Sequence, residues 1–208
     1  MRSTTPATNK SGTVPPFSDR PIWIYVPLIL ALLPFAQPLR EGAAPGAGAD
    51  VINTLWTMWW YRHEWHSGAW GSTPSDLFNF PFGGTGAIIS PLTATAWSVL
   101  EGVFGAAWAS IMTVLGLLYA CLFGLWFVMR ELGASRLAIG ATMAAFLCQR
   151  HFLFTLGDIG VVGVAALPLI VGIGCALRLR REPSRPWSLV LIGMMALQAL
   201  ENPYLAPV

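Results

Sequence analysis

Charge is what this sequence has least of. Only 11% of its 208 residues are Asp, Glu, Lys or Arg, where a soluble chain carries ~25%. Residues of the AVILMFWYC set make up 55%, and the mean hydropathy is +0.60. So little charge does not cover the surface of a water-soluble domain of this size. The same apolar content excludes disorder over most of the length. A net charge of +2 with no basic stripe excludes nucleic-acid binding. Cysteine is scarce too. Cys121, Cys148 and Cys175 each sit inside an apolar run, and their spacing fits neither a zinc site nor a disulfide framework. They read as small apolar residues.

What the chain does have is long runs without charge. Pro21 to Leu39 contains none, and Arg40 ends it. Further uncharged runs are Gly102 to Met129 (Glu101 and Arg130 bound it), Ile159 to Leu177, Pro186 to Leu200, and Leu137 to Gln149, the last continuing through Arg150 and His151 to Gly157. Each approaches the ~20 residues a helix needs to cross a bilayer, the last of the chain being short. A cleavable signal peptide is the alternative for the first run, but Ala47-Gly48-Ala49, the triplet that looks like a cleavage site, lies too far beyond the apolar core. Leu77 to Leu100, with Pro81, Gly83, Gly84, Gly86 and Pro91, is ambiguous.

Basic residues resolve that ambiguity. With a cytoplasmic amino terminus and 77–100 not crossing, the segments 1–20, 130–136 and 178–185 are all cytoplasmic and hold nine of the twelve Lys and Arg. A crossing at 77–100 would turn two arginine clusters outward, against the positive-inside tendency. Residues 77–100 are therefore placed outside, or as a re-entrant stretch packed on protein. The expected architecture is all-α: a polytopic transmembrane helix bundle with about five spans, 22–38, 104–129, 137–156, 159–177 and 187–200. Residues 1–20 form a disordered cytoplasmic tail, 21–208 the membrane domain, and 39–103 a long outside loop.

Seven of the ten acidic residues and all three histidines fall on the outside. Ionisable groups gathered at one face of a bilayer point to function. The richest stretch runs from Asp50 to His66. At about 100° per residue, Ile52, Leu55, Trp56, Trp59, His63 and His66 share one face, with Asn53, Thr57, Tyr61 and Glu64 roughly opposite. This is the pattern of an amphipathic helix lying in the membrane interface. Trp56, Trp59, Trp60, His63 and His66 are its expected lipid contacts. Asp50 precedes the helix and serves either as its N-cap or as a reactive carboxylate. His63 and His66 lack the HExxH spacing and a local third ligand, which argues against zinc.

Downstream, Leu77-Phe78-Asn79-Phe80-Pro81-Phe82-Gly83-Gly84 makes a rigid turn among aromatics. Without a GxxxxGK pattern it is not an ATP-type phosphate loop. Two readings stand, a structural turn and a sugar- or lipid-facing loop. In the second outside loop, Arg150 and His151 either snorkel at the interface or neutralise a phosphate. Asp158 either caps the fourth span or, with Asp50, shares a divalent cation.

Taken together, the span 22–38, Asp50, the series Asn53/Trp56/Trp60, the loop Asn79-Phe80-Pro81-Phe82-Gly83, the closely spaced later spans and Gly157-Asp158 resemble the amino-terminal part of the GT-C class of integral membrane glycosyltransferases, over about 22–205. The likeness is one of topology more than of strict motif, and no Asp-Glu or DxD pair stands beside Asp50 or Asp158. The resemblance implies transfer of a sugar from a polyprenyl-phosphate carrier to an acceptor, at the outer face of the cytoplasmic (inner) membrane of a bacterium. It implies that Asp50 is catalytic, activating the acceptor or helping to hold a Mg or Mn ion, and that Asp158 assists metal or donor-phosphate binding, which makes Arg150 and His151, read above as phosphate-neutralising, the further donor-binding candidates. The partners are then membrane lipids and the lipid-linked sugar. The alternatives are a non-catalytic membrane subunit or scaffold, a truncated fragment of such an enzyme, and a transporter. The last is disfavoured because the charge lies at one interface and not at midplane.

Overall fold

The computed structural model describes residues 17–42, 58–63, 74–75, 84–85, 91–149 and 166–201. These residues are helical apart from their links and one two-residue antiparallel ladder, β1 (Pro74–Ser75) with β2 (Gly84–Thr85), in which Pro74 faces Thr85 and Ser75 faces Gly84. The first described residues, from Phe17, are helical although they lie inside the tail expected to be disordered. Phe17–Asp19 form a 3-10 turn whose Phe17 carbonyl accepts the Trp23 indole N–H at 2.9 Å.

The first apolar run forms α1 (Ile22–Leu30), a 3-10 turn over Leu33–Phe35, and α2 (Ala36–Glu41). The two prolines act differently. Pro34 sits within the 3-10 turn, where the helix is interrupted, while Pro27 stays inside α1. Lacking an N–H, Pro27 leaves the Trp23 carbonyl without its i+4 donor. At the interruption, the Leu32 N–H turns to the Ile29 carbonyl at 3.0 Å, and the Leu28 carbonyl accepts the Tyr119 O–H at 2.8 Å. Gly42, at φ 61°, ends α2 in the left-handed conformation.

The stretch 77–100 contains a helix: α3 runs from Pro91 to Phe104. Proline suits a first helical position because that N–H has no intrahelical acceptor. One residue, Gly105 at φ 79°, separates α3 from α4 (Ala106–Glu131). The Trp97 indole N–H donates to Ser110 Oγ across this bend at 3.0 Å, so α3 folds back on α4. The expected span 104–129 is thus broken at its start and continues two residues further. A Schellman motif closes α4, with Gly133 N–H on Arg130 O at 2.9 Å and Ala134 N–H on Met129 O at 3.0 Å. Ser135 then caps α5 (Arg136–Leu147). The helix expected to reach residue 156 ends at Leu147, and 150–165 lie outside the described residues. The chain resumes with α6 (Leu167–Arg181) and α7 (Arg185–Glu201), where spans 159–177 and 187–200 were expected.

Among the described residues, two helical stretches are long and apolar enough to cross a membrane, Ile22–Glu41 and Ala106–Glu131. At 1.5 Å per residue they measure about 30 and 39 Å, against about 18, 22 and 26 Å for α5, α6 and α7. Only 17% of the first apolar window and 39% of the second is buried inside the protein, whereas the core helix of a soluble protein is mostly covered.

The core lies along α4. Ile111, Val114, Leu118 and Leu122 form a buried stripe at helical spacing, packed with Phe35, Trp97, Ile139 and Met143. Glycine sets the closest approaches. Gly140 of α5 sits against the Trp23 carbonyl, the group freed by Pro27, and a Cβ there would overlap it. Gly124 faces Ile170, and Gly174 faces the Phe127 ring. With Glu131 meeting Arg178, these pairs show α4 and α6 running parallel. α7 returns antiparallel to α6: the rings of Phe127 and Trp187 stack at 5.7 Å near its start, and buried Gln198 near its end accepts the Leu169 N–H at 3.0 Å.

Gly140→Ala is expected to force α1 from α5 and lower stability by about 1–3 kcal/mol. Gly193→Ala, where a Cβ meets nothing within 4 Å, is expected to leave stability unchanged or slightly raised. Thermal unfolding in detergent checks both, and equal melting of the two variants would refute the close approach.

Candidate functional site

The aromatic segment of the long loop is helical over 58–63 and docks on α3. Two polar contacts hold it. The Tyr61 and Thr95 hydroxyls bond at 2.9 Å, and the Arg62 guanidinium pairs with the Glu101 carboxylate. Both charges of that pair are partly covered, with side chains 30% and 21% exposed, so solvent screens them less than a surface pair.

Docking divides the segment into two faces. Met58, Trp60 and Tyr61 are buried, whereas Trp59 is 45% exposed and His63 is exposed. Trp59 and His63, one turn apart, stack at 5.5 Å with their planes 14° from parallel. The outward placement of Trp59 and His63 agrees with the helical face read from sequence. Trp60 does not: expected among the lipid contacts, it is turned into the protein at 3% exposure. The reason is that the side counted as polar, carrying Tyr61, is the one that docks, and it takes its neighbour Trp60 inward. Of the other candidate site residues, Asp50, Trp56, His66, Arg150, His151 and Asp158 lie outside the described residues.

Four positioning residues were not singled out from sequence: Arg62, Glu101, Thr95 and Ser110. A signal existed for two of them. Glu101 is the lone charge between Asp76 and Arg130, and Arg62 is the nearest preceding Lys or Arg. Gln198 was missed as well, although a single amide in an apolar run is itself a signal for a buried polar contact.

This docked segment stands at the amino end of α4, because Glu101 and Trp97 belong to the bend at Gly105. The carboxyl end of α4, 26 residues on, carries the opposite chemistry. There Glu131 meets Arg178 and Arg181, and Arg136 donates to the Asp19 carbonyl at 3.0 Å. The segments 17–20, 130–136 and 178–185 therefore gather at one end, with the Trp59–His63 pair at the other. No protein-family model, curated protein or solved structure matches this chain.

Arg62→Ala and Glu101→Ala should each loosen 58–63, seen as faster amide exchange there, and a double-mutant cycle should give a coupling of about 0.5–3 kcal/mol. Strictly additive effects would show that the ion pair does not hold the segment.

Proposed function

We propose that this chain is an integral membrane protein of the GT-C glycosyltransferase kind, and that it moves a sugar from a polyprenyl-phosphate carrier to an acceptor at the outer face of the cytoplasmic membrane. The observation that carries this reading is the polarity of the bundle. Arginine-rich segments collect at one end, an anchored segment exposes Trp59 and His63 at the other, and two apolar helices with mostly uncovered surfaces run between. Tryptophan at a helix-bundle end suits the headgroup layer, where an indole is half in hydrocarbon and half in water. A lipid-linked donor presents its phosphate at that depth.

In this reading Asp50, eight residues before Met58 in the chain, takes the proton of the acceptor hydroxyl. The acceptor oxygen bonds to the anomeric carbon, and the bond from that carbon to the phosphate oxygen breaks, its electron pair leaving with the lipid phosphate. Arg150 and His151 meet the charge that develops there. A single displacement inverts the anomeric centre. A divalent cation, Mg or Mn, held by Asp50 and Asp158, would supply further neutralisation of the phosphate. Among the described residues no three His, Cys, Asp or Glu stand together as a metal site, and each step above uses side chains alone.

The orientation is tested by cysteine labelling in a background freed of the native cysteines. Ala134→Cys and Pro183→Cys should react from the cytoplasmic side only and Thr73→Cys from the outside only. Outside labelling at 134 would reverse the assignment. The chemistry is tested at Asp50. Asn caps a helix about as well as Asp does, but it takes no proton, so Asp50→Asn should lose about 100- to 10,000-fold in sugar transfer with melting unchanged. A pure capping role predicts normal transfer for Asp50→Asn and a loss of about 0.5–2 kcal/mol in stability for Asp50→Ala; that outcome would favour a non-catalytic membrane scaffold.

A further inference from the structure

The basic end of the bundle contains a cleft that the sugar-transfer reading does not use. It is a cavity of about 330 Å³ between the last turns of α4 and α6, lined by Glu131, Leu132, Leu177, Arg180 and Arg181. We infer that this cleft binds the phosphate headgroup of an anionic phospholipid of the cytoplasmic leaflet.

Charge is the first argument. Among the described residues this end carries Arg20, Arg130, Arg136, Arg178, Arg180, Arg181 and Arg185 against Asp19, Glu131 and Glu182, seven arginines to three acids. Most of the carboxylates are already engaged. Glu182 Oε2 accepts from Arg178 at 2.7 Å, while Glu131, only 6% exposed, lies 3.5 Å from Arg178 and 3.7 Å from Arg181. Arg181 is 58% exposed, and Arg180 is exposed with no carboxylate within 4 Å among the described residues. The two guanidinium groups at the cleft therefore retain donors for a planar, bidentate contact, the geometry in which arginine holds phosphate.

The second argument is the apolar half of the wall. Leu132 is 57% exposed and Leu177 half-buried at the same cleft. A free phosphate has no use for that surface, whereas an acyl chain descending from a bound headgroup does. The carboxyl ends of α4 and α6 present carbonyl dipoles that repel an anion. Three arginines in the last turn of α6 reverse the local sign, so the side chains and not the helix ends define the site. Glu131 then acts as a spacer. It withholds part of the charge of Arg178 and Arg181.

The inference rests on the membrane reading, and its test separates the two. Protein is extracted in mild detergent with phosphatidylglycerol and phosphatidylcholine in equal amounts, and retained lipid is counted by native mass spectrometry. Wild type should retain phosphatidylglycerol in preference. Each arginine near an anionic surface contributes about fivefold, so Arg180→Gln with Arg181→Gln should lower that preference about 25-fold. Arg20→Gln with Arg130→Gln, the same charge change at residues that do not line the cleft, should leave it nearly intact. Glu131→Gln frees both guanidinium groups and should raise retention, a gain that misfolding does not produce. Equal losses in the two double variants, or no preference in wild type, would overturn the site. Displacement of the lipid by millimolar inorganic phosphate would overturn its assignment to lipid. Alkaline carbonate extraction of native membranes reports separately: release of the protein would overturn the membrane reading itself.

Discussion

Helices with apolar side chains on most faces hold together where their backbones come close, and this chain reaches such closeness by removing side chains and donors at matched places. Pro27 takes away the N–H that would cover the Trp23 carbonyl, and Gly140 takes away the Cβ that would keep α5 from reaching it. A Cα–H against a bare carbonyl is a weak contact on its own. Its consequence is the distance it permits, at which Ile139 and Met143 of α5 are buried against the stripe on α4. The same device recurs where Gly124 admits Ile170 and Gly174 admits Phe127. Beyond Pro27 the chain tightens into the 3-10 turn at Leu33–Phe35, and the Tyr119 hydroxyl reaches the Leu28 carbonyl ahead of it. The irregular first helical stretch is thus joined to its neighbours at its irregularities, where backbone groups are available.

This packing fixes the direction in which charge is distributed. Because α4 and α6 run parallel, both of their arginine-bearing ends fall together, and Glu131 finds two guanidinium partners although it is nearly buried. A lone carboxylate in that position would be costly. At the opposite end the single-residue bend at Gly105 returns α3 along α4, and α3 then offers Thr95 and Glu101 to the segment that carries the exposed Trp59–His63 pair. Both ends therefore depend on the pairings of α4, one for its ion cluster and the other for the platform on which the aromatic segment sits.

Much of this was legible in the chain. Uncharged runs bounded by arginine announced helices, and α4 and α7 begin and end within a few residues of where those runs do. Helical spacing put Trp59 and His63 on one face, and both point outward. Other features were not legible, for identifiable reasons. Pro91 and the glycines before it suggested a broken stretch, yet Pro at a first helical position starts α3 instead of preventing it. Trp59 and Trp60 are the same residue type in adjacent positions. Which one is buried depends on Thr95 and Glu101, more than thirty residues away, and no local pattern holds that information.

What the sequence by itself determined is a matter of composition and period: a helical chain poor in charge, with nine of its twelve Lys and Arg in three short segments and seven of its ten acidic residues elsewhere. Those properties are local sums, and a sum over neighbours in the chain suffices to read them. What only the tertiary structure decided is which helices run side by side, that the three basic segments gather at one end, that Glu131 lies between two arginines, and that the side of the aromatic segment bearing Tyr61 is the docked one. Each of these depends on a contact between residues far apart in the chain. Such contacts are set by whether two backbones can approach, as at Gly140 and Trp23, and not by the preference of any residue for helix or for water.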